Sequence, residues 1–256
     1  MYSAKTFERQ TLAVIVYWVG VIWLPPAVKN SSCVPVMRHL LKFSTLFVFV
    51  FCGPLVFGQG SPGDSKTLVV FTSPKEIHGV TLLSINQRGI AGRQYIYTPA
   101  TQRVRSVVPQ ERSARFIGTD FTFEDVGERV LDDFSYRLIG GSEMMDGHES
   151  YKVEATPVDQ SRSQYKFIYY WVAQDVPVIL YAEFYDGQGR EVRILHASAI
   201  KRVNGIWGAR HTEMRTLLDG TRTVLTIDDV KFNTKPDEKL FTPQGLAEAG
   251  GSGTAK

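Results

Sequence analysis

The chain has 256 residues, room for one large β domain or two small ones, and carries 29 basic against 26 acidic side chains. The basic excess sits in residues 1–58, which hold Lys5, Arg9, Lys29, Arg38 and Lys42 against Glu8; the remainder is 24 against 25, net −1, which gives no support to nucleic-acid binding. Cys33 and Cys52, the two cysteines, fall in the same stretch, so past residue 58 disulfides, zinc–thiolate sites and thiol nucleophiles are excluded together.

Two apolar runs lie in that first stretch, residues 12–24 and 43–57, each shorter than the roughly 20 residues a membrane-spanning helix needs. The second reads as a secretory signal. Residues 37–42 supply a basic start, residues 43–51 an apolar middle, and Val56-Phe57-Gly58 the cleavage site. Met37 is therefore read as the start and Gln59 as the first mature residue, with residues 1–58 as leader; if residues 12–24 are translated and kept, they act as an anchor. Cys52 follows Phe51, not the small residues of a lipoprotein processing site.

Strand signals begin at once after a short Gly/Ser/Pro linker. Residues 67–71, 80–85, 95–97 and 104–108 are short β-branched or aromatic runs separated by turn residues. Residues 116–129 look capable of helical turns. From residue 151 six strand-like runs follow, 151–156, 165–172, 178–185, 191–203, 206–217 and 221–232. Asp186-Gly187, Asn204-Gly205 and Asp219-Gly220 stand between the last four, and such pairs supply the positive φ of two-residue hairpin turns. Gly189 adds a bulge to the first turn. The expected fold is mainly β, a curved antiparallel meander forming an incomplete, half-open barrel with a short helical lid. Residues 236–249 offer a last helical stretch, which sets a domain of 59–249 and a disordered tail of 250–256.

Both faces of 165–172 and 178–185 are apolar, which a sheet with one face in water would not tolerate. The alternation puts Tyr165, Phe167, Tyr169 and Trp171 on one face of the first, and Leu180 and Phe184 on one face of the second. Aromatic content favours those faces as the lining of a greasy concavity, together with Phe116, Phe121 and Phe123.

No catalytic constellation, metal-ligand spacing or cofactor fingerprint emerges. His78 and His148 sit beside glycines in turns, and His196 reads as a packed or hydrogen-bonded core histidine. Charge is segregated instead: residues 88–115 carry net +5 and residues 116–149 net −7. The two stretches could pair within the fold, the basic one could form a rim for anionic lipid head groups, or it could bind single-stranded nucleic acid.

Three motifs resemble a known family. Phe116-Ile117-Gly118-Thr119-Asp120-Phe121-Thr122-Phe123-Glu124-Asp125 is similar to the Phe-Met-Gly-Ser-Asp-Phe-Ser-Tyr-Glu-Asp signature of LolA-like bacterial outer-membrane lipoprotein-sorting proteins. Tyr95-Ile96-Tyr97-Thr98-Pro99-Ala100, with Arg103-Val104-Arg105 after it, resembles their aromatic hairpin and trailing basic pair. Residues 79–83 resemble the Lys-Gly-Thr motif and apolar strand before it. The likeness runs from about residue 66 to 246, in family order. It departs in front, where residues 1–58 match nothing and the leading helix and first strands are missing, and at Gly92-Arg93, which replace acidic residues.

The resemblance implies an apolar concavity closed by helices that binds acyl chains of lipoproteins or lipids in the periplasm, works beside an inner-membrane transport complex, and is not an enzyme. It needs no cofactor or metal. Relatives of the fold also act as envelope sensors, the second reading; an enzyme using Asp120 or Glu124 is the third. Residues 116–125 are expected to form a lid, with Phe116, Phe121 and Phe123 inward and Asp120 capping a helical turn that opens with Glu124 and Asp125. Arg103, Arg105 or Arg115 would latch it through ion pairs.

Overall fold

A computed structural model describes residues 8–20, 65–73, 75–87, 90–127, 131–203, 205–227 and 237–252. The strands are β1 (Glu8–Gly20), β2 (Ser65–Ser73), β3 (Thr81–Gln87), β4 (Ile90–Thr98), β5 (Arg103–Val107), β6 (Phe134–Met145), β7 (His148–Pro157), β8 (Tyr165–Ala173), β9 (Ile179–Asp186), β10 (Glu191–Val203), β11 (Ile206–Thr216) and β12 (Thr221–Thr226). Two short helices, α1 (Phe123–Val126) and α2 (Leu246–Ser252), accompany them.

The strands lie in the order β5-β4-β3-β2-β1-β12-β11-β10-β9-β8-β7-β6. Within β2 to β5, and within β6 to β12, sequential neighbours pair antiparallel. β1 joins the two runs, antiparallel to β2 and parallel to β12. The ends of the order, β5 and β6, do not pair with each other, so the meander stays an incomplete barrel. Glycines do take the turns, but the β9–β10 and β11–β12 connections each span four residues, 187–190 and 217–220, where the sequence suggests two, and Gly187 does not take a positive φ. Gly189, Gly205 and Gly220 have φ of 76°, 85° and 67°, the left-handed region that glycine enters without steric cost. Asp186 accepts backbone bonds from Gln188 and Arg190, closing the β9–β10 turn.

Three differences from the sequence reading stand out. β6 lies in the acidic stretch, where no alternation announces a strand, because this edge strand is mostly exposed and need not alternate. Residues up to Gly20 of the apolar run 12–24 belong to β1, paired on both sides, although the reading assigns that run to a leader. The signal segment 37–58 lies outside the described residues, among which no helix is long and apolar enough to cross a membrane. Finally, α2 continues to Ser252, beyond the boundary at residue 249. Gly250 packs so closely on the Gly79 backbone that a Cβ there would come within 2.4 Å of its carbonyl oxygen.

The two apolar faces are covered differently in the two runs. On β2 and β3 the outer face (Leu68, Val70, Leu83) lies under Phe241, Leu246 and Ala249 of the C-terminal segment. On β7 to β9 the outer side chains cover one another. Phe167 stacks on Tyr185 at 4.6 Å, Trp171 meets Tyr181 edge-on at 5.3 Å, and the Lys152 ammonium stands 4.1 Å from the Trp171 ring. The Trp171 indole N–H donates to Glu143, so its one polar atom is satisfied. His196 is on this outer side too, paired with Asp146 of the β6–β7 turn and not packed in the core. The inner faces of both runs meet in the main core. Val69, Phe71, Leu82 and Ile96 come from one side, and Ile168, Tyr170, Ala182, Phe184, Leu195 and Met214 from the other.

Candidate functional site

After β5 the chain leaves the sheet and enters the space between the two runs. A 3-10 turn over Pro109–Glu111 redirects it. Arg115 and Thr122 then bridge as isolated strand partners, closing a tight loop. Inside it the Phe116 amide donates to the Phe121 carbonyl at 2.8 Å, and the Thr119 hydroxyl donates to the Phe116 carbonyl at 2.7 Å. Ile117 and Gly118 both have positive φ, 50° and 71°. For the β-branched Ile117 this conformation costs on the order of 1–3 kcal/mol, tolerated because the flanking residues are anchored.

Those anchors are aromatic and deep. Phe116, Phe121 and Phe123 are all buried. The Phe116 ring lies 5.3 Å from Phe71 of β2 and 5.1 Å edge-on from Phe123. The segment packs its three rings into the space between the two runs, as a plug. Beside it, at the open seam, is a cavity of about 160 Å³ lined by Asn86, Gln94, Arg112, Glu124, Asp133 and Arg162. That is below the ~300–1,000 Å³ of pockets that engulf a small-molecule ligand.

Polar contacts hold the plug on three sides. Asp120 is buried, and Thr221 and Thr223 of β12 donate their hydroxyls to its carboxylate, the second at 2.8 Å. The Asp120 amide in turn donates to the Thr223 hydroxyl at 2.9 Å. The helix cap is Thr122, not Asp120. Its hydroxyl accepts from the Asp125 amide at 3.3 Å, and the Asp125 carboxylate accepts from the Thr122 amide at 2.8 Å, a reciprocal capping box. Asp120 lies too early to reach the first turn and faces β12 instead. Glu124 and Asp125 do occupy the first turn, as expected. Glu124 accepts from the Ser163 hydroxyl and, at 2.9 Å, from the Gln164 amide. Gln94 of β4 donates to the Phe123 carbonyl at 2.8 Å.

The third contact is a buried ionic cluster. Asp125 accepts from the Tyr165 hydroxyl at 2.7 Å and lies 3.6 Å from the Arg193 guanidinium of β10. Arg193 donates to the Tyr165 oxygen at 2.6 Å and to Gln164 at 3.1 Å. Burial first, then the Asp125 carboxylate, push the Tyr165 hydroxyl well above its ordinary value. Burial works against the Arg193 charge, but Tyr165 and Asp125 outweigh it and hold the guanidinium more firmly protonated than usual.

The candidates read from the sequence divide accordingly. Phe116, Phe121, Phe123 and Phe184 meet in the core between the runs. Phe167, Tyr169 and Trp171 lie on the outer face. The cause is a bulge between Tyr165 and Phe167, which turns Tyr165 inward and makes Ile168 the next inward residue. Leu180, next to a second bulge, packs with Ala173, Val176 and Val178 in a separate cluster. Of the three candidate latch arginines, Arg115 touches the plug's acids, 3.7 Å from Asp120, while also pairing with Asp219. Arg105 pairs with Glu111 at 2.6 Å in solvent, and Arg103 is exposed on the same edge strand. Among the described residues, Arg115–Asp120 is the ion pair that joins the basic stretch to the acidic one. Tyr165, on the face that the alternation favours, does turn inward, whereas Arg193, Gln164, Thr221 and Thr223 carry no local signal and are brought to the plug only by tertiary pairing.

A family model described as an uncharacterized protein matches residues 63–248. No curated protein matches the chain. Among solved structures, a domain from Vibrio parahaemolyticus assigned to outer membrane lipoprotein sorting is similar at 25% identity and a TM-score of 0.69, covering 74% of this chain and 80% of that one. A DUF1329 family protein from Desulfovibrio piger is similar at 27% identity and a TM-score of 0.67, covering 72% and 77%. A LolA superfamily protein from Nitrosomonas europaea shares the fold at 22% identity and a TM-score of 0.54, covering 70% and 80%.

Proposed function

We propose, on the premise that this chain belongs to the LolA-like family of lipoprotein-sorting proteins, that it carries the acyl chains of a lipoprotein or lipid between inner and outer membranes. The carrying is done in the periplasm, beside an inner-membrane transport complex. The observation that carries this reading is the plug: three phenylalanines of one irregular segment occupy an apolar concavity that an acyl chain would otherwise fill.

The energetics are balanced enough for exchange. Burying three phenylalanine side chains contributes about 5–9 kcal/mol, at ~1.5–3 kcal/mol each. An acyl chain gains ~0.8 kcal/mol per buried CH₂, so about 6–11 methylenes offset the displacement of the plug. Natural acyl chains exceed that length, and the surplus is what works against the plug's polar contacts with β8, β10 and β12. Return of the plug then assists release to an acceptor. The ionic cluster sets how readily the plug leaves, because separating Asp125 from Arg193 leaves a buried charge without its partner.

Solvent extraction of the protein purified from exporting cells, followed by mass spectrometry, tests the reading. Long-chain lipid or acylated peptide should accompany it. Phe184→Asp, on the inner face, should abolish that cargo, whereas Tyr169→Asp, on the outer face, should not. Protein that is repeatedly free of lipid sinks the proposal.

A further inference from the structure

Arg193 is the inner-face feature that acyl-chain carriage alone does not require. It stands two residues before Leu195, on the same face of β10, with its side chain 11% exposed. An acyl cavity needs no cation, and an interior guanidinium is costly unless something anionic meets it. In this structure the anion is Asp125 of the plug, the segment that must leave when the concavity fills.

The cluster is also incomplete without a further partner. The Nε of Arg193 and the Oγ1 of Thr216 are both buried and lack a hydrogen-bond partner. They belong to directly opposed residues, since Arg193 and Thr216 are cross-strand partners between β10 and β11. Thr216 is 8% exposed and its hydroxyl oxygen is buried. An orphaned donor beside an orphaned hydroxyl, next to a guanidinium held by a displaceable carboxylate, is a site for more acceptor oxygens than Asp125 supplies.

We infer that Arg193, with Thr216, Tyr165 and Gln164, is an internal headgroup site for an anionic lipid bearing a phosphate or carboxylate, and that Asp125 occupies it in the empty protein. This rests on the carrier reading and sharpens it: the cargo is selected by charge as well as by its chains. Loading exchanges one anion for another at Arg193, so the guanidinium is never left buried and unpaired. Asp125, once released, carries its charge to the open seam with the rest of the plug.

Isothermal titration of the purified protein with lysophosphatidylglycerol, oleate and monoolein tests the inference. The expected result is that at least one anionic lipid binds about tenfold or more tightly than neutral monoolein, the scale of one charge-assisted hydrogen bond. Preference for lysophosphatidylglycerol assigns the site to phosphate, and preference for oleate to carboxylate. Arg193→Gln should reduce the anionic lipids to the affinity of monoolein, Arg193→Lys should keep part of the preference, and Thr216→Val should lower it without changing monoolein binding. Equal binding of all three lipids by the unaltered protein overturns the headgroup site and leaves the carrier reading standing. Binding of none overturns both. The comparison in the unaltered protein needs no variant to fold, and a preference that survives Arg193→Gln also refutes the assignment.

Discussion

Replacing Thr223 with valine isolates how the plug is held to β12. The change keeps the shape of a fully buried side chain and removes one hydroxyl that works twice, donating to the Asp120 carboxylate at 2.8 Å and accepting from the Asp120 amide at 2.9 Å. Loss of a bond to a charged group costs ~1.5–3 kcal/mol and of a neutral one ~0.5–1.5 kcal/mol, so the substitution should destabilise by about 2–4 kcal/mol. For a domain of this size that lowers Tm by roughly 4–16 °C. Thr221 remains bonded to Asp120, which keeps the loss below that of removing the carboxylate's whole shell. Urea titration gives the magnitude, and hydrogen exchange gives the location. The Phe116 and Val126 amides, bonded within the plug, should exchange faster while amides in β8 to β10 stay protected. A double-mutant cycle with Asp120→Asn should show coupling of about 0.5–3 kcal/mol. A stability change under about 0.5 kcal/mol, or uniform loosening of every strand, would refute the claim that this pair anchors the plug.

Phe123→Ala should cost about 3–5 kcal/mol in denaturant unfolding, because the ring is buried against Phe116 and the space cannot collapse fully; a cost near 1 kcal/mol would mean the segment sits loosely. Tyr165→Phe removes both the bond to the Asp125 carboxylate and the one received from the Arg193 guanidinium and should destabilise by about 3–6 kcal/mol, read from the urea midpoint, with faster exchange at the Asp125 amide. Arg105→Glu should leave thermal stability within about 0.5 kcal/mol and lipid content unchanged, since its pair with Glu111 is exposed; altered lipid retention would return Arg105 to the latch. Gly250→Val should detach α2 from the β3–β4 hairpin region, lowering Tm and raising dye binding to the uncovered Leu68, Val70 and Leu83, because no Cβ fits against the Gly79 carbonyl.

Where structure follows local chemistry, the amino-acid order was enough to read it. The Asp-Gly and Asn-Gly turns, the alternating runs between them and the aromatic segment 116–125 each signal themselves within a few residues. β6 sends no such signal, since an exposed edge strand is free of the burial that creates alternation. The face assignment of β8 failed for a narrower reason. One extra residue beside Tyr165 reverses every side chain after it, and nothing in Tyr165-Lys166-Phe167-Ile168 marks which register the neighbour will impose. The ionic cluster was illegible in another way. Arg193 sits in an ordinary charged strand end, and only pairing across β8, β10 and the plug gives it Tyr165 and Asp125 as partners. Asp120 misled because Asp is a favoured cap, yet Thr122 lies at the right spacing and Thr221 and Thr223 compete for the carboxylate.

The position of β1 has a bearing on the order of folding. Glu8 pairs with Thr221 and Leu12 with Leu225, partners separated by more than about 200 residues of chain. β1 therefore waits for nearly the whole chain to follow it before β12 can meet it. β2 arrives much sooner and can pair antiparallel at once, so the early half assembles with one edge of β1 unpaired. An unpaired strand edge is a template for the wrong neighbour. Ladders of such sequence separation also form slowly, since loop closure precedes any gain from contact. The seam between β1 and β12 is therefore the last ladder to close, and a parallel one. A shielding factor present during that interval should raise the yield of folded protein more than any substitution that only stabilises the finished sheet.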